Sequence, residues 1–326
     1  MRQNGKLTER NRDRALGCLV GGAVGDALGY AVEFEQWPYI RNTYGDRGIT
    51  RYQLAGNGKA LISDDTQMTL FTAAGILLGM TRGHMRGIMG RIDTYCHWTY
   101  LDWLHTQEWD LRKPNERSDS WLMDVPELYA RRAPGNTCLS ALKSLENNKE
   151  PQNNSCGCGG VMRTAPLAIL DYLHGYADAE YEYCDMVAAE AARITHKHPL
   201  GFLPSAVFND ILMQIFDGEI DRGTSLSDIV HNAIKRLPSI KSEADKDRTY
   251  GELWPDEVAT LRRLLKYAME LTVRDIPDHV AIEKIGGGWT GHEALAIAIY
   301  SAVKHSNNFE NAIVSSVNHS GDSDST

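Results

Sequence analysis

Apolar residues along this chain recur at three- and four-residue spacing, and seldom at alternate positions. That period predicts helices over residues 14–34, 66–80, 85–104, 137–145, 165–173, 185–195, 205–216, 257–271, 292–304 and 309–317. No train of β-branched alternating strands interrupts them, so the pattern predicts an all-α class. With no internal repeat or linker, residues 1–326 read as a single-domain helical bundle. Polar stretches at 107–120, which contains Pro114, and at 238–248 read as surface loops.

The first helix is unusual. Gly17, Gly21, Gly25 and Gly29 follow one another every fourth residue and share one stripe. Each costs roughly 1 kcal/mol of helix stability relative to alanine. Four in register predict a buried central helix against which another backbone packs closely.

Composition narrows the classes. The chain carries 34 Lys+Arg against 43 Asp+Glu, a net charge of −9. That balance disfavours broad binding to nucleic acid or to anionic lipid. The apolar run at 16–32 follows Arg2, Lys6, Arg10, Arg12 and Arg14, but Asp26 interrupts it. It lacks a small-residue cleavage site and the roughly 20 uncharged residues of a membrane span. Six cysteines in 326 residues are too few for a disulfide scaffold. Cys156 and Cys158 form the one close pair, without the second pair that a zinc site needs. The expectation is a cytoplasmic protein with no membrane partner.

Carboxylates supply the candidate chemistry. Ser63-Asp64-Asp65-Thr66 precedes the second predicted helix, and Gly321-Asp322-Ser323-Asp324-Ser325-Thr326 follows the last. Gly25-Asp26 and Glu33 form a third acidic segment. Each alone is explained by helix capping or by a solvated helix end. Together, Asp64, Asp65, Asp322, Asp324 and Glu33 would carry about −5, a density that two divalent cations make tolerable. All-oxygen donors favour magnesium, manganese or calcium over zinc.

These motifs stand in an order that resembles the ADP-ribosylglycohydrolase family along nearly the whole chain. The matching stretches are 17–29 with Val32-Glu33-Phe34, Ser63 to Met68, Ala133 to Thr137 and Asn154 to Pro166. Thr195 to Pro199, Gly286 to Ala294 and Asn318 to Thr326 complete the set. The resemblance implies an orthogonal helical bundle with a binuclear magnesium centre, manganese being the substitute. One metal cluster falls on Ser63, Asp64 and Asp65, the other on Asp322, Asp324 and Ser325. Ser63 and Ser325 stand where the family often has threonine, and both keep the hydroxyl oxygen. Family members continue beyond the second cluster into another small-residue helix, so the resemblance implies a domain without that last helix.

Glu33 matches a glutamate that gates or activates the site in some members, and is the expected catalytic residue. In others an aspartate near the Pro-Gly-Asn-Thr loop is proposed for that role, but Ala133 and Pro134 offer no carboxylate. Gly157, Gly159, Gly160 and Met162 form a glycine-rich loop whose N–H groups suit a diphosphate. Gly287 and Trp289 are expected at the substrate, the indole stacking on a base, with an ordinary core tryptophan as the alternative. His196 and His198 do not share a helix face, which disfavours a metal pair; the resemblance puts His196 near the ribose or the metals. The implied reaction is removal of mono-ADP-ribose from a protein side chain, arginine first. The partners are then an ADP-ribosylated protein and the product ADP-ribose, plus a toxin if the role is immunity. A non-catalytic ADP-ribose-binding protein and a magnesium phosphohydrolase are the competing readings.

Overall fold

Ser63 starts the first long core helix in the manner that N-cap chemistry requires: its side chain accepts a hydrogen bond from Asp65 N. Asp64 and Asp65 in the first turn complement the helix dipole, and Gly87 at φ 72° ends the helix. In this computed structural model the described residues are 9–88, 90–108, 119–174, 181–243 and 245–326; the side chains of 171–174, 181 and 182 are not among them.

The helices are α1 (Glu9–Gly29), α2 (Trp37–Tyr44), α3 (Asp64–Arg86), α4 (Ile92–Gln107), α5 (Asn136–Glu146), α6 (Ala165–His174) and α7 (Tyr181–Arg193). They continue with α8 (Pro199–Phe216), α9 (Leu226–Arg236), α10 (Tyr250–Leu253), α11 (Pro255–Leu271), α12 (Asp278–Ile285), α13 (Gly291–Lys304) and α14 (Phe309–Val317). Among the described residues there is no strand, and the fold is all-α. The expected polar segment at 107–120 lies outside the described residues at 109–118. Its end is held by Asp102, whose Oδ2 accepts from Asp119 N at 2.9 Å and Ser120 N at 2.8 Å.

Several boundaries differ from the sequence expectation. The break expected at 81–84 falls after Arg86, because nothing before Gly87 forces the backbone out of helical geometry. Pro199 opens α8 six residues early: proline fits the first turn, and His198 Nδ1 accepts from Leu200 N. Helices α2, α9, α10 and α12 were not expected. Of these, α9 had a readable signal, with Ser225 capping Asp228 N ahead of buried Ile229, Val230, Ala233 and Ile234. The segment at 238–248 is only partly a surface loop, since Ile240 and Ser242 are buried.

One large apolar cluster joins α3, α4, α7, α8, α11 and α13. Helix α8 has the length and composition of a membrane span, yet 72% of it is buried among neighbouring helices. A second cluster unites Leu28, Val32, Trp37, Ile40, Ile49 and Val317. It clamps the end of α1 to α2 and α14, and so fixes the turn that carries Glu33.

Helix α1 is not the buried centre that its glycines suggested. Leu16 and Val20 are more than half exposed, and only Asp26 to Gly29 are buried. Gly17 has no neighbour within 4 Å, and Gly21 and Gly25 face the side chains of Phe309 and Ile313. Only Gly29 meets another backbone. The regular spacing defines a face of the helix, not what covers it. Here much of that face lines an apolar groove of about 450 Å³ whose walls also include Asp65 and Asp324.

Candidate metal centre

Asp26, near the end of α1, organises the first acidic loop. Its Oδ1 accepts from Ser63 N at 2.8 Å, and its Oδ2 accepts from Thr66 N at 3.1 Å and from the Thr66 hydroxyl. One buried carboxylate thus satisfies two N–H groups around the start of α3, while Asp64 N donates to Arg132 O and Asp65 N to Ser63 Oγ. Asp64 is fixed by Gly135, whose N–H donates to Oδ2 at 3.3 Å. Asp65 is bonded to the Ser325 side chain, which ties the first acidic loop to the second.

The second loop is held as firmly. Asp322 N donates to Gly287 O at 2.8 Å, and the Cys158 thiol contacts Asp322 Oδ2 at 2.8 Å. Asp322 and Asp324 neighbour each other, and burial raises both above the ordinary carboxylate range, with repulsion from Asp65 and Asp322 adding to it at Asp324. Gly321 adopts φ 151°, and a Cβ there would fall 2.0 Å from Gly287 O. A side chain at Gly288, φ 80°, would strike Thr326 and the Asp322 backbone.

The structure therefore brings together Ser63, Asp64, Asp65, Asp322, Asp324, Ser325 and Glu33 from opposite ends of the chain. Carboxylate oxygens of Glu33, Asp322 and Asp324 lie within 4.8 Å of one another. Glu33 sits in the turn after α1, not on the helix. It belongs to the cluster itself and is as much a candidate ligand as a candidate base.

Electrostatically the cluster is unbalanced. Among the described residues no ion pair reaches any of these carboxylates, and Glu33 Oε2 and Asp324 Oδ1 are buried without a hydrogen-bond partner. Burial, then repulsion from Asp322, Asp64 and Asp26, pushes Glu33 up to about 8. Burial, opposed by the Gly135 N–H and reinforced by Asp26 and Asp322, pushes Asp64 to about 7. Asp65 and Asp324 are raised by the same causes, burial first. Orphaned oxygens in a crowded all-oxygen donor set are what a hard divalent cation requires. The residues fit such an ion, with Ser63, Asp64 and Asp65 on one side and Asp322, Asp324 and Ser325 on the other. The Cys158 sulfur bonds an Asp322 carboxylate oxygen here.

The glycine-rich loop runs beside this cluster. Gly157 bridges Thr290, and Cys158 N donates to Trp289 O at 3.2 Å, so the two glycine loops support each other. Gly159 and Gly160 are buried, and their missing side chains serve internal packing. A Cβ at Gly159 would meet Cys138 at 2.9 Å, and one at Gly160 would meet Gly201 O at 2.3 Å. Met162 is half-buried and lines the groove behind Asp65 and Asp324.

His196 lies underneath the loop. Its Nδ1 bonds the Thr195 hydroxyl at 2.9 Å, and its ring packs against Gly157 and Gly159. Burial and the nearby Arg163 guanidinium push it down to about 3, so it is a neutral support. Arg163 is itself fully buried, donating to Thr195 Oγ1 and to the carbonyls of Ala191 and Ala192 and lying over the Tyr100 ring.

Trp289 is not a core residue. It is 44% exposed and stacks on Phe34, itself 63% exposed, with centroids 5.5 Å apart. Phe34 holds φ 69°, a costly conformation for a bulky side chain. The sequence reading assigned no role to Thr66, Gly135, Cys158 or Phe34. The Asp26 acceptor role had a readable signal, a lone carboxylate inside an apolar helical run. The others depend on contacts across the fold.

Comparison with known proteins gives a consistent picture. The sequence model of the family described as ADP-ribosylglycohydrolase matches residues 7–326. An ADP-ribosyl-dinitrogen-reductase glycohydrolase of Rhodospirillum rubrum is 31% identical over 58% of this chain and 53% of its own length. An ADP-ribosylhydrolase, ARH1, of Dictyostelium discoideum is 22% identical over 99% of this chain and 87% of its own. An uncharacterized protein of Archaeoglobus fulgidus is 24% identical over 94% and 82%. The alignment thus spans about half the length of the first of these relatives and more than four fifths of the other two.

Proposed function

The chain belongs to the ADP-ribosylglycohydrolase family, and on that premise we propose that it hydrolyses the glycosidic bond between ADP-ribose and a modified protein side chain. Arginine is the first candidate for that side chain, and two magnesium ions the cofactor. One observation carries the reading: five carboxylates, Glu33, Asp64, Asp65, Asp322 and Asp324, converge with no ion-pair partner among the described residues. A binding or structural protein would have little use for so costly a cluster.

When bound, two divalent ions would lower the cluster charge from about −5 to about −1 and polarise a sugar oxygen. The remaining chemistry belongs to the side chains. Cleavage at an anomeric carbon develops positive charge on the sugar, which surrounding carboxylates stabilise. Glu33 is the carboxylate placed to take a proton from the attacking water, since it borders the exposed Phe34 and Trp289 while the aspartates lie deeper. The two rings offer a flat apolar surface at the rim. In the Cys156 to Gly160 loop, backed by Arg163 and His196, Gly157 N and Cys158 N already donate to Ser155 Oγ and Trp289 O, so Gly159 and Gly160 are the positions left to offer N–H groups to a diphosphate.

The test is incubation with arginine-, serine- and phosphate-linked ADP-ribose, in magnesium or in EDTA. The proposal expects magnesium-dependent release of free ADP-ribose. Binding without turnover on every substrate would identify a non-catalytic ADP-ribose-binding protein instead. With phosphate-linked ADP-ribose either bond cleavage releases phosphate, so the reaction is run in 18O-labelled water: label in the phosphate would identify a phosphohydrolase, and label at the ribose the proposed glycosidic cleavage.

A further inference from the structure

A second recessed site borders the start of α13, into which the 286–290 loop leads. Helix α11 and the start of α13 enclose a groove of about 720 Å³, lined among others by Arg262, Arg263, Lys266, Tyr267, Ile285 and His292. The three cations lie on one helix face within five residues, and none has an ion-pair or hydrogen-bond partner among the described residues. Arg262 and Lys266 stand at i and i+4, a spacing at which like charges repel. Two ring or guanidinium nitrogens, Arg262 Nε and His292 Nδ1, are buried without a hydrogen-bond partner. Arg262 Nε is a donor, and buried donors left unmatched are costly.

Two carboxylates also line the groove. Glu270 is exposed and pairs with none of the cations, and Glu293 packs against the Gly286 backbone. The cations thus keep an excess over the acids, in a protein whose net charge is −9. General electrostatics would repel an acidic partner from this surface, so a local basic groove selects orientation as well as charge.

The groove is also close to the proposed chemistry. His292 and Glu293 follow Trp289 by three and four residues, and Gly291 N donates to Cys156 O at 2.8 Å. The intervening loop contacts the acidic cluster through Gly287 O and Asp322 N. The groove and the Trp289 rim thus share the segment that joins α12 to α13.

We propose that this groove docks an acidic segment of the ADP-ribosylated protein, with an Asp or Glu carboxylate received between Arg262 and His292. Arg263 and Lys266 then engage neighbouring acids, and Tyr267 and Ile285 cover the aliphatic stem. This assignment of the partner rests on the hydrolase reading above. Docking of this kind raises the local concentration of protein substrates and leaves small substrates unaffected.

The experiment has two arms. The first measures fluorescence anisotropy of a labelled twelve-residue glutamate-rich peptide, with its glutamine counterpart as control, at low and high salt. Salt-sensitive binding of the glutamate peptide alone is expected, weakened about tenfold or more in the double variant Arg263→Glu, Lys266→Glu. Both positions are exposed, so folding is spared; Lys235→Glu on α9 makes a charge reversal elsewhere and is expected to bind normally. The second arm compares hydrolysis of an ADP-ribosylated protein bearing acidic flanks with that of free ADP-ribosyl-arginine. The double variant is expected to raise KM about tenfold for the protein, with kcat and the small substrate unchanged.

Equal binding of the two peptides, or full binding by the double variant, overturns the docking site. Turnover of free ADP-ribosyl-arginine without peptide binding overturns the docking site and leaves the hydrolase reading standing. Peptide binding without hydrolysis of any ADP-ribosyl linkage overturns the hydrolase reading and leaves the acidic-segment site.

Discussion

Gly29 lies directly beneath the Ser323 carbonyl: a Cβ at Gly29 would fall 2.2 Å from that oxygen and 2.8 Å from the Asp324 Cα. The last turn of α1 is thus the seat on which the second acidic loop rests. Gly29→Ala is expected to push that loop away from Asp65 and Glu33. The cost expected is about 1–3 kcal/mol of stability from overpacking, with a larger loss of metal affinity. Gly17→Ala and Gly22→Ala meet nothing within 4 Å and should instead stabilise by about 0.5–1 kcal/mol. Thermal melts with and without magnesium separate these effects; an unchanged Gly29→Ala protein would remove the seat argument.

Asp65 and Asp324 should be the positions most sensitive to loss of charge. Each is buried, raised well above the ordinary carboxylate range by burial and by its acidic neighbours, and without a protein cation. Asp65→Asn or Asp324→Asn is expected to stabilise the metal-free protein while abolishing turnover and weakening magnesium binding at least tenfold, about 1.4 kcal/mol. Isothermal titration calorimetry measures the affinity, and its dependence on buffer ionisation counts the protons released. Full magnesium affinity in either variant would contradict the assigned ligands.

Glu33→Gln keeps the shape and removes the base. It is expected to lower kcat by about 10²–10⁴-fold with ADP-ribose affinity retained, as loss of a general base does. Equal rates in the variant and the parent would transfer catalysis to another carboxylate. Loss of magnesium binding with unchanged ADP-ribose affinity would make Glu33 chiefly a ligand.

The metal-free protein should lose stability as the medium becomes more alkaline. Glu33 at about 8 and Asp64 at about 7 hold protons in the folded state that they release at about 4 when unfolded. Raised carboxylates favour the folded state fully below their unfolded values, and that contribution disappears as pH rises through the folded ones. In EDTA, the melting temperature is expected to fall between pH 5 and pH 8.5. Magnesium should restore more of it at pH 8.5, where the ligands are already deprotonated. A pH-independent melt in EDTA would mean that the cluster is not strained as the structure implies.

Residues near one another in the chain were the legible part of this site. Ser63, Asp64 and Asp65 announce both a helix start and an oxygen cluster, and in the structure they serve as the cap of α3 while facing Asp322 and Asp324. The roles of Gly135 on Asp64, Cys158 on Asp322 and Phe34 on Trp289 had no local mark. Each joins segments far apart in sequence, and nothing in the spacing of either partner encodes the other.

Helical periodicity by itself determined the all-α class, because a 3.6-residue repeat of apolar side chains can be buried in no other backbone. The ordered motifs determined the family, and the charge pattern located the acidic segments. Tertiary structure alone decided that α1 is peripheral, that His196 is a neutral prop under the glycine loop, and that Glu33 sits in the turn after α1 rather than on the helix. The physical reason is common to all three. A periodic pattern tells which face of an element avoids water, whereas burial, pKa and ligand geometry depend on what packs against that face.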